Sequence, residues 1–106
     1  MIDLTAAQLD IVRRILAAHV PECEVWAFGS RVTGKARPYS DLDLAVKCAK
    51  PLSLQRLFRL QDAFEESTLP FRVDVADWQR LSDGFRERLA SEGARLWPLN
   101  PPAACT

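Results

Sequence analysis

A single histidine, His19, stands among 106 residues, so a Ser-His-Asp or Cys-His site would have to be built around that one side chain. Histidine-based hydrolysis is disfavoured. Cysteine is scarce too: Cys23, Cys48 and Cys105 are odd in number, widely spaced and form no C-x-x-C pair, so neither a disulfide framework nor a zinc knuckle is signalled and reduced thiols are expected. Charge of one sign is missing, because fourteen Lys and Arg cancel fourteen Asp and Glu. Without a basic excess no counterion release is available, and direct nucleic-acid binding is not expected. No apolar run approaches the ~20 residues of a membrane span, and Met1-Ile2-Asp3-Leu4-Thr5 lacks a basic and apolar leader. A cytoplasmic protein with no membrane contact is expected.

What is present is a chain able to fold, with 48% hydrophobic and 26% charged residues. Its length suits one domain, read as residues 1–99, with a Pro-rich tail at 100–106 that cannot pair regularly. Thr5-Ala6-Ala7-Gln8 has the form of a capping box with Leu4 and Leu9 as its hydrophobic staple, and Leu9, Val12, Leu16 and Val20 recur at helical spacing until Pro21. His19 falls at that helix's carboxyl end, where it suits the dipole. Glu24-Val25-Trp26-Ala27-Phe28 reads as a buried strand that ends abruptly at Gly29-Ser30. Residues 31–40, with a Gly, a Pro and three basic side chains, suit a short helical turn and a loop.

Asp41-Leu42-Asp43-Leu44-Ala45-Val46 alternates, so Asp41, Asp43 and Ala45 share one strand face and Leu42, Leu44 and Val46 the other. Ser53 caps a helix running to about Ser67, whose Leu54, Leu57, Phe58 and Phe64 are expected to line its apolar stripe. Phe71-Arg72-Val73-Asp74-Val75-Ala76 is a third strand with a carboxylate between apolar neighbours. A short helix opens at Ser82-Asp83, passes through Phe85 and Leu89 and closes at Gly93, with an edge segment over 94–99. The fold class is α/β (α+β), a small mixed sheet flanked by helices.

Three carboxylates, Asp41, Asp43 and Asp74, would converge if their strands are neighbours. Such a trio disfavours joint ionisation unless a cation is present, which points to a hard, oxygen-ligated divalent ion such as Mg²⁺. Taken alone, Asp-x-Asp equally describes an ordinary half-exposed strand. Gly29 allows a ligand close to the backbone and Ser30 can donate to phosphate oxygens, although Gly-Ser is also a plain helix start. Arg31 has two readings, a phosphate clamp and a structural Arg. Asp77 has the wrong parity to join Asp74 and is expected to cap the Trp78-Gln79-Arg80 turn. Trp26, Phe28, Phe58 and Phe64 are read as core, and Lys35 and Arg37 as a solvated loop face that also lies within reach of a triphosphate.

Gly29-Ser30, ten further residues and then Asp41-x-Asp43 resembles the signature of the DNA polymerase beta-like nucleotidyltransferases. The strings Phe28-Gly29-Ser30-Arg31-Val32-Thr33-Gly34-Lys35-Ala36 and Ser40-Asp41-Leu42-Asp43-Leu44 resemble the minimal nucleotidyltransferases, the small partners of HEPN ribonuclease toxins. Arg72-Val73-Asp74-Val75 and the segment 85–99 fit the same family. The resemblance implies Gly29 and Ser30 on the nucleotide phosphates, with Arg31 as a candidate beside them. It implies Asp41, Asp43 and Asp74 as ligands of Mg²⁺, two ions, with Asp74 accepting the acceptor's proton. It further implies ATP as substrate and adenylate transfer to a tyrosine hydroxyl of a HEPN toxin, the antitoxin half of a type VII-like pair. The alternatives are an antitoxin that masks its toxin by contact alone and, more weakly, a small-molecule nucleotidyltransferase.

Overall fold

The computed structural model describes residues 2–35, 37 and 40–98. The expected tail at 100–106, with Cys105, lies outside the described residues. Among the described residues, α-helices and strands follow in the order α1 (Ala6–His19), β1 (Glu24–Phe28), α2 (Ser30–Thr33), β2 (Leu42–Lys47), α3 (Leu54–Glu65), β3 (Val73–Asp77), α4 (Asp83–Glu92) and β4 (Ala94–Trp97), with a 3₁₀ turn at Trp78–Arg80 between β3 and α4. The Thr5 capping box closes reciprocally, with the Thr5 hydroxyl accepting from the Gln8 amide and the Gln8 side chain accepting from the Thr5 amide.

The sheet order is β3-β2-β1-β4. β1 is antiparallel to both β2 and β4, whereas β2 and β3 run parallel, joined by α3 as the crossover. α1 and α3 pack together over one face, burying Val12, Leu16, Leu60 and Phe64 against Val25, Ala27, Leu42, Leu44, Val46 and Val73. These are the inward residues of the alternation, so parity alone assigns the other face to Asp43 and Asp74. On the edge strand β3, the Gln61 side chain accepts from the Val75 amide and donates to the Val73 carbonyl. That contact satisfies backbone groups which would otherwise invite a further strand.

Two expectations are corrected. Leu54 and Phe58 are 55% and 60% exposed, because Leu60 and Phe64 turn the buried stripe of α3 away from them. Cys23 and Cys48 are joined in a disulfide rather than being free thiols. They flank the Glu24–Lys47 rung at the end of the β1–β2 ladder, and the antiparallel register of that pair brings them face to face across 25 residues of sequence. Among the described residues no helix is long and apolar enough to cross a membrane.

Candidate active site

β1 runs out at Phe28, the register partner of Asp43, so the turn that follows must cross the mouth of β2. Gly29 makes that turn with φ +82°, and a Cβ on it would lie 2.6 Å from the Asp43 Oδ2. The backbone conformation therefore favours glycine here, and any side chain at this position would have to displace the Asp43 carboxylate. Gly29 is also the N-cap of α2 and has no side chain to offer, so Ser30 is the first helical residue rather than the cap. Its side chain lines an open cleft of about 600 Å³ shared with Gly29, Thr33, Lys35 and Asp43.

Parallel pairing sets Asp43 directly beside Asp74, with Asp41 exposed just ahead of β2. The Asp43 carboxyl is pushed above the ordinary aspartate range, first by partial burial and then by the charges of Asp74 and Asp41. Arg72 Nε donates to the Asp74 Oδ1 at 2.9 Å, a solvent-exposed pair that orients the carboxylate. Among the described residues no three His, Cys, Asp or Glu side chains are close enough to form a closed metal cage. The donors still suit Mg²⁺ in kind, because that ion takes one or two carboxylates and completes its shell from substrate phosphates and water.

Arg31 is placed differently from a phosphate clamp. It is 4% exposed, donates from Nε to the Ser40 carbonyl at 2.9 Å and from Nη1 to the Asp3 carbonyl at 3.0 Å, and lies over the Phe71 ring at 4.0 Å. Those bonds tie the Gly29-Ser30 turn to the residue that precedes Asp41, which makes Arg31 a brace for the site. Asp77 behaves as its parity predicts. It caps the 3₁₀ turn at Trp78–Arg80 by accepting from the Gln79 amide at 3.0 Å, and accepts from the Leu52 amide at 2.9 Å.

The far wall of the cleft comes from α4, through Phe85, Arg88, Leu89 and Glu92. Phe28 and Phe85 meet edge to face with centroids 5.3 Å apart, which fixes this helix against the strand that ends in Gly29. Gly93 permits the close approach, since a Cβ there would lie 2.5 Å from the Leu89 carbonyl and 3.1 Å from that of Ala27. Sequence reasoning named Phe85 and Leu89 but missed Arg88 and Glu92. Spacing of i, i+3, i+4 and i+7 puts all four on one helical face, and that signal was available.

The sequence family described as "Polymerase beta, Nucleotidyltransferase" matches residues 8–101. A relative in Haemophilus influenzae, "Probable protein adenylyltransferase MntA", is 52% identical over 86 residues, 81% of this chain and 75% of the relative. A crystal structure of a toxin-antitoxin with AMP-PNP is similar at 26% identity and a TM-score of 0.72, covering 84% of this chain and 72% of that one. A structure of the tri-AMPylated Shewanella oneidensis HEPN toxin in complex with MNT antitoxin is similar at 25% identity and a TM-score of 0.64, covering 84% of this chain and 68% of that one.

Proposed function

The chain belongs to the polymerase beta nucleotidyltransferase family, and from that premise we propose that it transfers AMP from ATP to a hydroxyl, that of a tyrosine, on a HEPN toxin, and so acts as the antitoxin of the pair. The observation that supports this reading is the close approach of the Gly29 backbone to the Asp43 carboxylate, which sets the Gly29-Ser30 turn against the strand that carries Asp43 beside Asp74. Among the relatives, the AMP-PNP complex supports ATP as the donor and the AMPylated HEPN toxin supports the acceptor.

In this reaction the acceptor oxygen forms a bond to the α-phosphorus, the bond to the bridging oxygen breaks, and pyrophosphate leaves. Gly29 and Ser30 hold the phosphates through backbone and hydroxyl donors. Asp43 and Asp74, side by side on the ladder, with Asp41 just ahead of them, would hold Mg²⁺, and the bound ion would supply positive charge to the triphosphate and the departing pyrophosphate. Asp74 presents its second oxygen to the acceptor and takes the hydroxyl proton, while Arg72 orients it through the first. The open cleft leaves the acceptor to be presented by the partner protein.

One observation favours the alternative of masking by contact alone: Asp74 is already engaged by Arg72. Intact-mass measurement of the neighbouring gene's product decides between them. Co-expression with the wild-type chain is expected to add adenylate-sized increments, and co-expression with Asp41→Asn/Asp43→Asn to add none. An unmodified partner that co-purifies equally with both would establish masking.

A further inference from the structure

A nucleoside triphosphate brings about four negative charges into a cleft already holding the Asp43 carboxylate, and beyond the share that Mg²⁺ would neutralise, cationic side chains at the cleft wall are placed to meet that charge. Arg31, the candidate next to the turn, is committed to the carbonyls of Asp3 and Ser40. Among the described residues, the cationic side chains lining the cleft are Lys35 and Arg88, on opposite walls. Lys35 follows the Gly34 cap of α2, and its amide donates to the Ser30 carbonyl at 3.1 Å, so its backbone is anchored in the same tight unit as the Gly29-Ser30 turn. Arg88 rides on α4, whose position is fixed by the Phe28–Phe85 contact and the close approach at Gly93.

We propose that Lys35 and Arg88 are the side-chain clamps on the triphosphate tail, the role that Arg31 does not fill. This rests on the nucleotidyltransferase reading of the site and adds two residues to it. Both side chains can take the role without loss to the fold. Arg88 lies 4.0 Å from Glu92 in a pair that is 74% and 57% exposed, a contact weak enough to be exchanged for a phosphate. Glu92 lines the same wall and competes with the nucleotide for Arg88. The guanidinium suits two-pronged contact with phosphate oxygens, whereas the Lys35 ammonium acts as a mobile point charge.

Equilibrium binding of ATP and of AMP to the purified chain with Mg²⁺ tests this, with Lys50→Ala on an exposed loop as a charge control. Lys35→Ala and Arg88→Ala are each expected to weaken ATP binding about tenfold, the loss of one charge-assisted contact, while AMP binding stays within about twofold. Lys35→Arg should restore most of the affinity, and Glu92→Gln should tighten ATP binding about twofold by releasing Arg88. Unchanged ATP binding in both alanine variants would overturn the proposal while leaving the nucleotidyltransferase reading intact. So would equal weakening of ATP and AMP, because the contact would then not be to the tail. A wild-type chain that binds neither nucleotide would remove both.

Discussion

Asp43 and Asp77 lie on one parallel ladder, three rungs apart, and the structure treats them in opposite ways. At one end Asp43 pairs in register with Asp74, close to a third carboxylate and pressed against the Gly29 backbone, with its charge held at a cost. At the other end Asp77 is opposite Val46, only 3% exposed, yet accepts from two backbone amides and has Arg80 Nε at 3.9 Å. Around it the chain is stitched further, by the Cys23–Cys48 disulfide, by Gln79 donating to the Cys48 carbonyl and by Arg86 donating to the carbonyls of Trp78 and Gln79. A buried carboxylate supplied with donors is structure, whereas one placed beside like charges carries an electrostatic cost that a cation would relieve in the function proposed above.

Exchanging the charge at each end separates the two roles. Asp43→Asn should lower adenylate transfer by about 10³-fold, ~4 kcal/mol of transition-state stabilisation, while raising the melting temperature of the metal-free protein. A kinetic assay beside a thermal melt reads both, and a variant that loses stability together with activity would break the contrast. Asp77→Ala should do the reverse. It leaves the Leu52 and Gln79 amides without their acceptor, so unfolding in urea should show a loss of about 2–3 kcal/mol, with transfer per folded molecule largely retained.

The smallest effect is a slope. Because the Asp43 pKa is raised in the folded chain, the folded state holds that proton more tightly than the unfolded one. The resulting stability is complete below the unfolded aspartate value, near about 4, and is lost as pH rises through the folded value. Metal-free wild type should therefore lose melting temperature across that window relative to Asp43→Asn. Parallel pH profiles of the two would show that Asp43 carries no such cost.

Much of this contrast was legible in the residues. Alternation assigned Asp43 and Asp74 to one face and their apolar neighbours to the other, and the odd spacing from Asp74 to Asp77 marked Asp77 as a capping residue. The Thr5 box and the Ser53 and Ser82 caps were readable because a cap is a local contest between a side-chain oxygen and the backbone. Phe58 misled because a helix has two plausible apolar stripes when Leu54, Leu57, Phe58, Leu60 and Phe64 are all present, and periodicity does not say which one meets the sheet. Arg31 was ambiguous for a related reason. Its partners, Asp3 and Ser40, lie 28 and 9 residues away, and both contribute backbone carbonyls that no motif records.

By itself the sequence determined the elements, the faces of the strands and the family signature, since these depend on intervals of two, three or four residues and on motif spacing that survives without coordinates. Tertiary structure alone decided which strands are neighbours, and hence that Asp43 meets Asp74, that Cys23 meets Cys48 and that Arg88 and Glu92 close the cleft opposite Ser30. Those meetings join distant segments through the packing of one small core, and packing is a property of the whole chain that no local pattern encodes.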